Sequence, residues 1–127
     1  MTPKRDWSMA INKVRDEDNR CRVCGTRSAV QCAHITGRTA DRKAPLGGLH
    51  LGWTDGEPVK VWPTRIVPLC QPHHNEYDAH RLDLLPHLNV AEVLQAVADC
   101  AVGKSNGLEA ARQRLTGERN TAAAPAG

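Results

Sequence analysis

Residues 67–78, VPLCQPHHNEYD, join an apolar segment to a polar one and carry a pair of metal-ligand residues. Cys70 lies three residues before His73, which is a C-x2-H spacing common among zinc ligands. Pro72 favours a helix that begins here, because proline suits the first helical position. His74 follows His73 directly, and neighbouring side chains on a helix point about 100° apart. We therefore expect one metal ion to take one of these histidines and not both.

A second ligand pair lies in CRVCG at 21–25. Its two cysteines have C-x2-C spacing, and Gly25 allows the tight turn in which two thiolates converge. Two such pairs supply the four soft ligands that a tetrahedral zinc ion requires. The alternative is that the cysteines are ordinary buried thiols and that the histidine lies on the surface. We predict a structural Zn2+ site formed by Cys21, Cys24, Cys70 and His73.

The composition is that of a small domain with little aromatic bulk. The chain has 127 residues, no phenylalanine and one tyrosine, which indicates an aliphatic core that a structural metal would help to stabilise. Charged residues near the start, without an apolar run, predict a cytoplasmic protein with no signal peptide and no membrane span. In a reducing compartment the five cysteines are expected to be ligands or buried thiols rather than disulfides. The net charge of +3 permits a nucleic-acid partner but does not require one.

Hydrophobic periodicity divides the chain into helices and strands. It predicts a helix at 3–18, strands at 28–35 and 64–70, a long loop at 36–63 between them, and a helix that begins near Pro72. Two further helices are each predicted from a capping box at the start and a glycine at the end. The boxes are Asn89 with Glu92 and Asn106 with Glu109, and the glycines are Gly103 and Gly117. Residues 117–127 lack apolar bulk and are predicted to be disordered.

The segments CRVCG, CAHI and IVPLCQPHHNEYD resemble, in this order, the motifs of HNH endonucleases, the zinc-containing branch of the ββα-metal nucleases. The resemblance covers roughly residues 20–80. RDW in the first helix and YDAHRLDLLP after the motif are also similar to small HNH proteins of bacteriophages. The resemblance implies an α+β fold, in which a small ββα-metal core with a structural zinc is flanked by an N-terminal helix and C-terminal helices. It implies one nuclease domain at 1–116.

The same resemblance implies metal-dependent hydrolysis of phosphodiester bonds in DNA. His34 would be the general base that activates water, and His74 would bind a catalytic divalent cation, Mg2+ or Mn2+, with Ni2+ as a further option. The chemistry agrees, because imidazole titrates near neutral pH and a divalent cation stabilises charge on the phosphate. We expect double-stranded DNA as the partner and weak sequence specificity, since no motif here contacts bases. The expected location is the cytoplasm of a bacterium or of a phage-infected host.

Two positions depart from the family pattern. Ala33 stands where many members carry an acidic residue or histidine as a second cation ligand. Asp78 lies four residues after His74, on the same helical face, and either supplies the missing oxygen or is a solvated carboxylate. Arg65 stands at the middle asparagine of the family and either clamps a phosphate or is an ordinary exposed arginine. Ala33 and Arg65 motivate a rival function, a nucleic-acid-binding module that contains zinc but lacks catalysis. The presence of both His34 and His74 favours the enzyme.

A group of basic residues follows His34 in the predicted loop. Arg38, Arg42 and Lys43 would form a strip that contacts the DNA backbone. A solvated loop would have the same composition, so both interpretations stay open.

Overall fold

The computed structural model describes residues 5–37, 59–102 and 106–118. In that part of the chain the fold is α+β, with four short strands and four α-helices. The elements are β1 (Arg5–Asp6), α1 (Ser8–Asp16), β2 (Val30–His34), β3 (Val59–Lys60), β4 (Ile66–Cys70), α2 (Gln71–Asp78), α3 (Val90–Ala101) and α4 (Gly107–Thr116). Turns of 3-10 helix at Pro63–Arg65 and Leu85–His87 precede β4 and α3. None of the helices described is long and apolar enough to cross a membrane.

β2 and β4 form the antiparallel sheet that organises the fold. Their register pairs Val30 with Cys70 and His34 with Ile66. Every residue of β4 is buried, because helices cover both faces of this sheet. Pro68 has no N–H to donate to a partner strand, which predicts that β4 is an edge strand. In this two-stranded sheet each strand is an edge strand, so Pro68 is tolerated within β4.

The core consists of one cluster of buried residues on each side of the sheet. The larger cluster joins the sheet to α2, α3 and α4, and comprises Cys21, Ala33, Ile35, Val67, Leu69, Cys70, Tyr77, Leu84, Ala96 and Leu115. The smaller cluster joins the sheet to α1 and comprises Ala10, Val14, Val61 and Ile66. Apart from Tyr77 and the two cysteines, both clusters are aliphatic, which agrees with the prediction from composition.

The helix termini confirm one predicted capping box and contradict the other. The Glu92 N–H donates to Asn89 Oδ1 (2.9 Å), and the Asn89 N–H donates to Glu92 Oε1 (2.8 Å). Asn106 precedes α4 but its side chain makes no capping hydrogen bond. Its backbone, with φ −114° and ψ 42°, is not in the extended conformation that a capping side chain requires. Gly117 ends α4 in the left-handed conformation (φ 78°), as predicted.

The N-terminal helix is shorter than the predicted 3–18. Arg5–Asp6 pair in parallel with Val59–Lys60 and so form strands β1 and β3. The helix begins at Ser8, whose N–H and hydroxyl both donate to Asp6 Oδ1 (3.0 and 2.7 Å). These hydrogen bonds hold the pKa of the Asp6 carboxyl below its usual range. The chain therefore changes from strand to helix after Asp6, whereas helical periodicity had predicted that residues 3–7 are already helical.

A buried ion network ties α1 to α3. Glu92 is 1 % exposed and receives two hydrogen bonds from Arg22, at 2.8 and 2.9 Å. Lys13 pairs with the same carboxylate and also donates to the backbone carbonyls of Pro63 (2.8 Å) and Ile66 (2.5 Å). The Lys13 side chain of α1 is therefore partly buried, because its ammonium group closes this network.

Candidate metal centre and the adjoining cleft

The four predicted zinc ligands lie together where β4 meets α2. Their ligand atoms are all within 4.8 Å of one another. Cys24 Sγ is 3.8 Å from Cys70 Sγ. His73 Nδ1 is 3.6 Å from Cys21 Sγ and 3.2 Å from Cys70 Sγ. The structure thus confirms that these residues form one cluster, although the two pairs are far apart in the sequence.

The distances suit a tetrahedral zinc ion. With Zn–S bonds of about 2.3 Å and Zn–N bonds of about 2.0 Å, ligand atoms in a tetrahedron lie about 3.5–3.8 Å apart. Two of the three distances given above fall in this range, and the third is shorter. Three thiolates and an imidazole are also a donor set typical of structural zinc. The cluster can therefore hold zinc, with His73 Nδ1 as the nitrogen ligand.

The surroundings of Cys21 favour its thiolate form. Burial would raise the pKa of this thiol, but hydrogen bonds with the backbone of Cys70, Cys24 and Val23 and with His73 outweigh burial and lower the pKa to about 6. Burial raises the pKa of the Cys70 thiol, and the neighbouring thiols add to the effect. Because zinc binds thiolates, we expect metal binding to release protons, including that of Cys70, whose pKa is raised.

Backbone contacts bring the two ligand pairs together. Gly25 has a φ of 77°, a conformation that favours glycine, and its N–H donates to the Cys21 carbonyl (2.8 Å). The Arg22 N–H donates to the Pro68 carbonyl (2.8 Å). The C-x2-C turn is therefore docked on β4 two residues before Cys70.

A cleft of about 190 Å3 lies beside the metal cluster, between the end of β2 and α2. Its lining includes Trp7, Cys32, His34, Gly37, His74, Asp78 and Arg114. His34 and His74 thus line the same cleft, while His73 faces the cysteines. The two adjacent histidines point to different sites, as the geometry of a helix requires.

His34 is the last residue of β2, and its ring packs against Trp7. The ring centroids are 5.3 Å apart with an interplanar angle of 82°, which is an edge-to-face contact. The next residue, Ile35, is buried, and its N–H donates to the Arg65 carbonyl (2.9 Å). The Tyr77 hydroxyl donates to the Ile35 carbonyl (2.5 Å). The strand end that carries His34 is therefore anchored on both sides of its backbone.

His74 has a defined neighbour at each ring nitrogen. Its Nδ1 is 2.6 Å from Gln31 Oε1, an acceptor, so Nδ1 carries the proton in this contact. Its Nε2 is 3.4 Å from Asp78 Oδ2. Ligand atoms on adjacent corners of an octahedral Mg2+ site lie about 3 Å apart. Nε2 of His74 and the Asp78 carboxylate are thus spaced so that they could share one cation, which fits the ligand pair predicted from the sequence.

Arg65 has a different role from the predicted phosphate clamp. Its side chain is buried, and Nε and Nη2 donate to the two carboxylate oxygens of Asp99 at 3.0 and 3.1 Å. Asp99 also accepts from the Thr36 hydroxyl (3.0 Å) and the Gln95 amide (2.9 Å). A guanidinium enclosed in this network does not face the cleft, so both sequence interpretations of Arg65, clamp and exposed arginine, were wrong.

Three residues at or near the cleft were missed by the sequence analysis: Gln31, Asp99 and Arg114. Gln31 lies just before the CAHI motif, and the helices of Asp99 and Arg114 show no functional motif. Gln31 contacts His74, Arg114 lies near Asp78, and Asp99 contacts Thr36 beyond the end of β2, each across a large sequence separation. The basic strip Arg38, Arg42 and Lys43 lies outside the described residues. Ala33 is buried and, as its methyl side chain dictates, offers no ligand atom.

Comparisons of this chain with family models, with curated proteins and with solved structures gave no match.

Proposed function

We propose that the protein is a metal-dependent endonuclease of the HNH type that hydrolyses phosphodiester bonds in double-stranded DNA with weak sequence specificity. One observation carries the proposal. His34, at a strand end, and His74, in the first turn of a helix, line one cleft beside a cluster that can hold zinc. A base and a cation ligand are the two groups that metal-assisted hydrolysis of a phosphodiester requires on one side of the substrate.

In this proposal His34 accepts a proton from a water molecule as the water oxygen attacks phosphorus. A new P–O bond forms, the bond from phosphorus to one bridging oxygen breaks, and the leaving oxygen takes a proton from solvent. His74 and Asp78 would hold Mg2+ or Mn2+, which supplies positive charge to the phosphate oxygens when bound. The Gln31 amide orients the His74 ring, and the zinc cluster fixes the start of α2 against β4.

Cleavage of supercoiled plasmid tests this function. Purified protein should nick or linearise the plasmid with Mg2+, Mn2+ or Ni2+, and EDTA should abolish the reaction. His34→Ala should reduce the rate about 100-fold or more, because a general base contributes that much, with zinc content and melting unchanged. His87→Ala, outside the cleft, is the matched control. Cleavage by His34→Ala at the wild-type rate would overturn the assignment of the base.

A second candidate function is a zinc-stapled module that binds nucleic acid without cutting it. The observation that favours it is Ala33, since no carboxylate or imidazole occupies that position. The plasmid assay separates the two functions. Plasmid binding in a gel shift without nicking under any of the three cations would favour the module.

A further inference from the structure

Arg114, on the last turn of α4, is the cation in the described part of the cleft lining. The sequence did not predict a functional role for Arg114, because α4 has the sequence of an ordinary amphipathic helix. Leu115 and Ala111 are each 1 % exposed and anchor α4 in the core. The helix therefore presents Arg114 to the cleft from a fixed position.

The guanidinium of Arg114 is held in place on one side. Its Cζ lies 4.1 Å from the centroid of the Tyr77 ring, and its Nη1 donates to the Tyr77 carbonyl (3.2 Å). Tyr77 is fully buried, so the ring is a rigid platform for this cation–π contact. An arginine that is already oriented loses less conformational entropy when it binds a ligand.

The other side of the guanidinium faces Asp78 and the cleft. Nη2 is 3.9 Å from Asp78 Oδ1, which is longer than the 2.7–2.9 Å or so of a charge-assisted hydrogen bond. The Arg114 side chain is 22 % exposed. The cleft volume of about 190 Å3 is several times the roughly 30 Å3 that a water molecule occupies. The cleft that Arg114 and His74 both line is therefore large enough for a phosphate group.

We propose that Arg114 binds the phosphate that is to be cleaved, the task predicted for Arg65, which is buried. This inference rests on the proposed endonuclease function. The planar guanidinium matches two phosphate oxygens, and its charge opposes the charge that builds up on them in the transition state. A cation held by His74 and Asp78 would engage the Asp78 carboxylate. This carboxylate would then not compete with the phosphate for Arg114.

Four variants test the proposal. Arg114→Gln keeps the aliphatic stem but removes the charge. Arg114→Lys keeps a positive charge but removes the planar guanidinium that can bind two phosphate oxygens. Arg112→Gln is the matched control, because Arg112 lies on the same helix and pairs with Glu109 on the exposed surface. Arg114→Ala leaves space beside Tyr77 that free guanidinium ion can occupy. Zinc content and melting of each variant show whether the fold is kept.

Single-turnover cleavage of a short DNA duplex is the main measurement. Arg114→Gln should cut about 100-fold more slowly than Arg112→Gln, which is the effect of losing one group that stabilises the transition state. Millimolar guanidinium should restore part of the activity of Arg114→Ala and leave Arg114→Gln unchanged, a response that a purely structural role would not give. Equal rates for Arg114→Gln and Arg112→Gln would overturn the inference while the endonuclease function stands.

If the protein fails to cleave DNA with Mg2+, Mn2+ and Ni2+ alike, the endonuclease function is overturned, and DNA binding then decides whether Arg114 contacts a phosphate. Titration of a fluorescent duplex should show weaker binding, by about fivefold or more, for Arg114→Gln than for Arg112→Gln at the same salt concentration, with a lower salt slope. Equal affinities and slopes would overturn the Arg114 inference as well.

Discussion

At the scale of single residues, Gln31 determines which nitrogen of His74 is available to a metal. Its amide oxygen accepts from His74 Nδ1 at 2.6 Å and so leaves the Nε2 lone pair directed towards Asp78. Residues that orient a metal-binding histidine in this way typically change metal affinity 10–100-fold or so when removed.

We predict that Gln31→Leu raises the Mg2+ concentration for half-maximal plasmid nicking by about tenfold or more. Gln31 is exposed, so melting and zinc content should not change. Gln113→Leu is the control, because the Gln113 amide contacts Glu109 on α4. An unchanged metal requirement in Gln31→Leu would show that the Gln31 contact does not orient the His74 ring.

The residue-scale features that the sequence predicted are those encoded by short spacings. Cys70 and His73 are three residues apart, and His74 and Asp78 are four apart on one helix, so local geometry alone brings each pair together. Gln31 and His74 are 43 residues apart, and their contact depends on how α2 packs on β2. Residue spacing along the chain cannot predict such a contact.

At the scale of elements, α3 holds the strand end that carries the predicted base. Asp99 accepts hydrogen bonds from Arg65, which precedes β4, and from Thr36, two residues after His34. The Arg65 carbonyl also receives the Ile35 N–H. Arg65 is therefore a positioning residue that links α3 to the turn after β2.

We predict that Thr36→Val lowers kcat for DNA cleavage about tenfold with little change in KM, because misplacing a catalytic group by a fraction of an ångström slows the chemical step. Thr36→Ser keeps the hydroxyl that donates to Asp99 and is the matched control. Steady-state kinetics on a short duplex measure both parameters. If Thr36→Val and Thr36→Ser had the same kcat, the Asp99 contact would have no part in placing His34.

Element boundaries were predicted well where a local signal fixes them and poorly where a distant strand does. The capping box at Asn89 and the glycine at Gly117 are local signals, and both are present in the structure. Strand β1 exists because residues 5–6 pair with residues 59–60, more than fifty positions away. Helical periodicity over the N-terminal segment could not reveal that pairing.

At the scale of the whole molecule, the network around Glu92 joins three parts of the fold. Arg22 lies in the C-x2-C turn, Lys13 in α1 and Glu92 in α3, so one buried carboxylate connects the metal cluster to two helices. Burial would raise the pKa of Glu92, but hydrogen bonds from Arg22 and Lys13 outweigh burial and hold it below its usual value.

We predict that Glu92→Gln destabilises the protein by about 3 kcal/mol at pH 7, because it removes the buried carboxylate that two partly buried cations share. A depressed pKa in the folded state means that the ionised carboxylate contributes stability above its unfolded-state pKa. That contribution is lost as the pH falls below about 4. Denaturant unfolding at several pH values should therefore show the difference from wild type shrinking in acid.

The control for this prediction is Glu109→Gln, since Glu109 pairs with Arg112 on the exposed surface of α4. Its effect on the free energy of unfolding should be small at every pH, because solvent screens an exposed ion pair. A loss in Glu92→Gln that is equally small, or that persists unchanged in acid, would contradict the structural role given to this network.

The central claim is that His73 serves the zinc cluster and His74 serves the cleft, and zinc content measured on the two alanine variants tests it most directly. We predict that His73→Ala binds less zinc and melts at lower temperature, because metal binding and folding are coupled in so small a domain. His74→Ala should keep one zinc per chain and a cooperative melt, yet lose plasmid nicking. Equal loss of zinc in both variants, or unfolding of His74→Ala alone, would contradict this division between the two histidines.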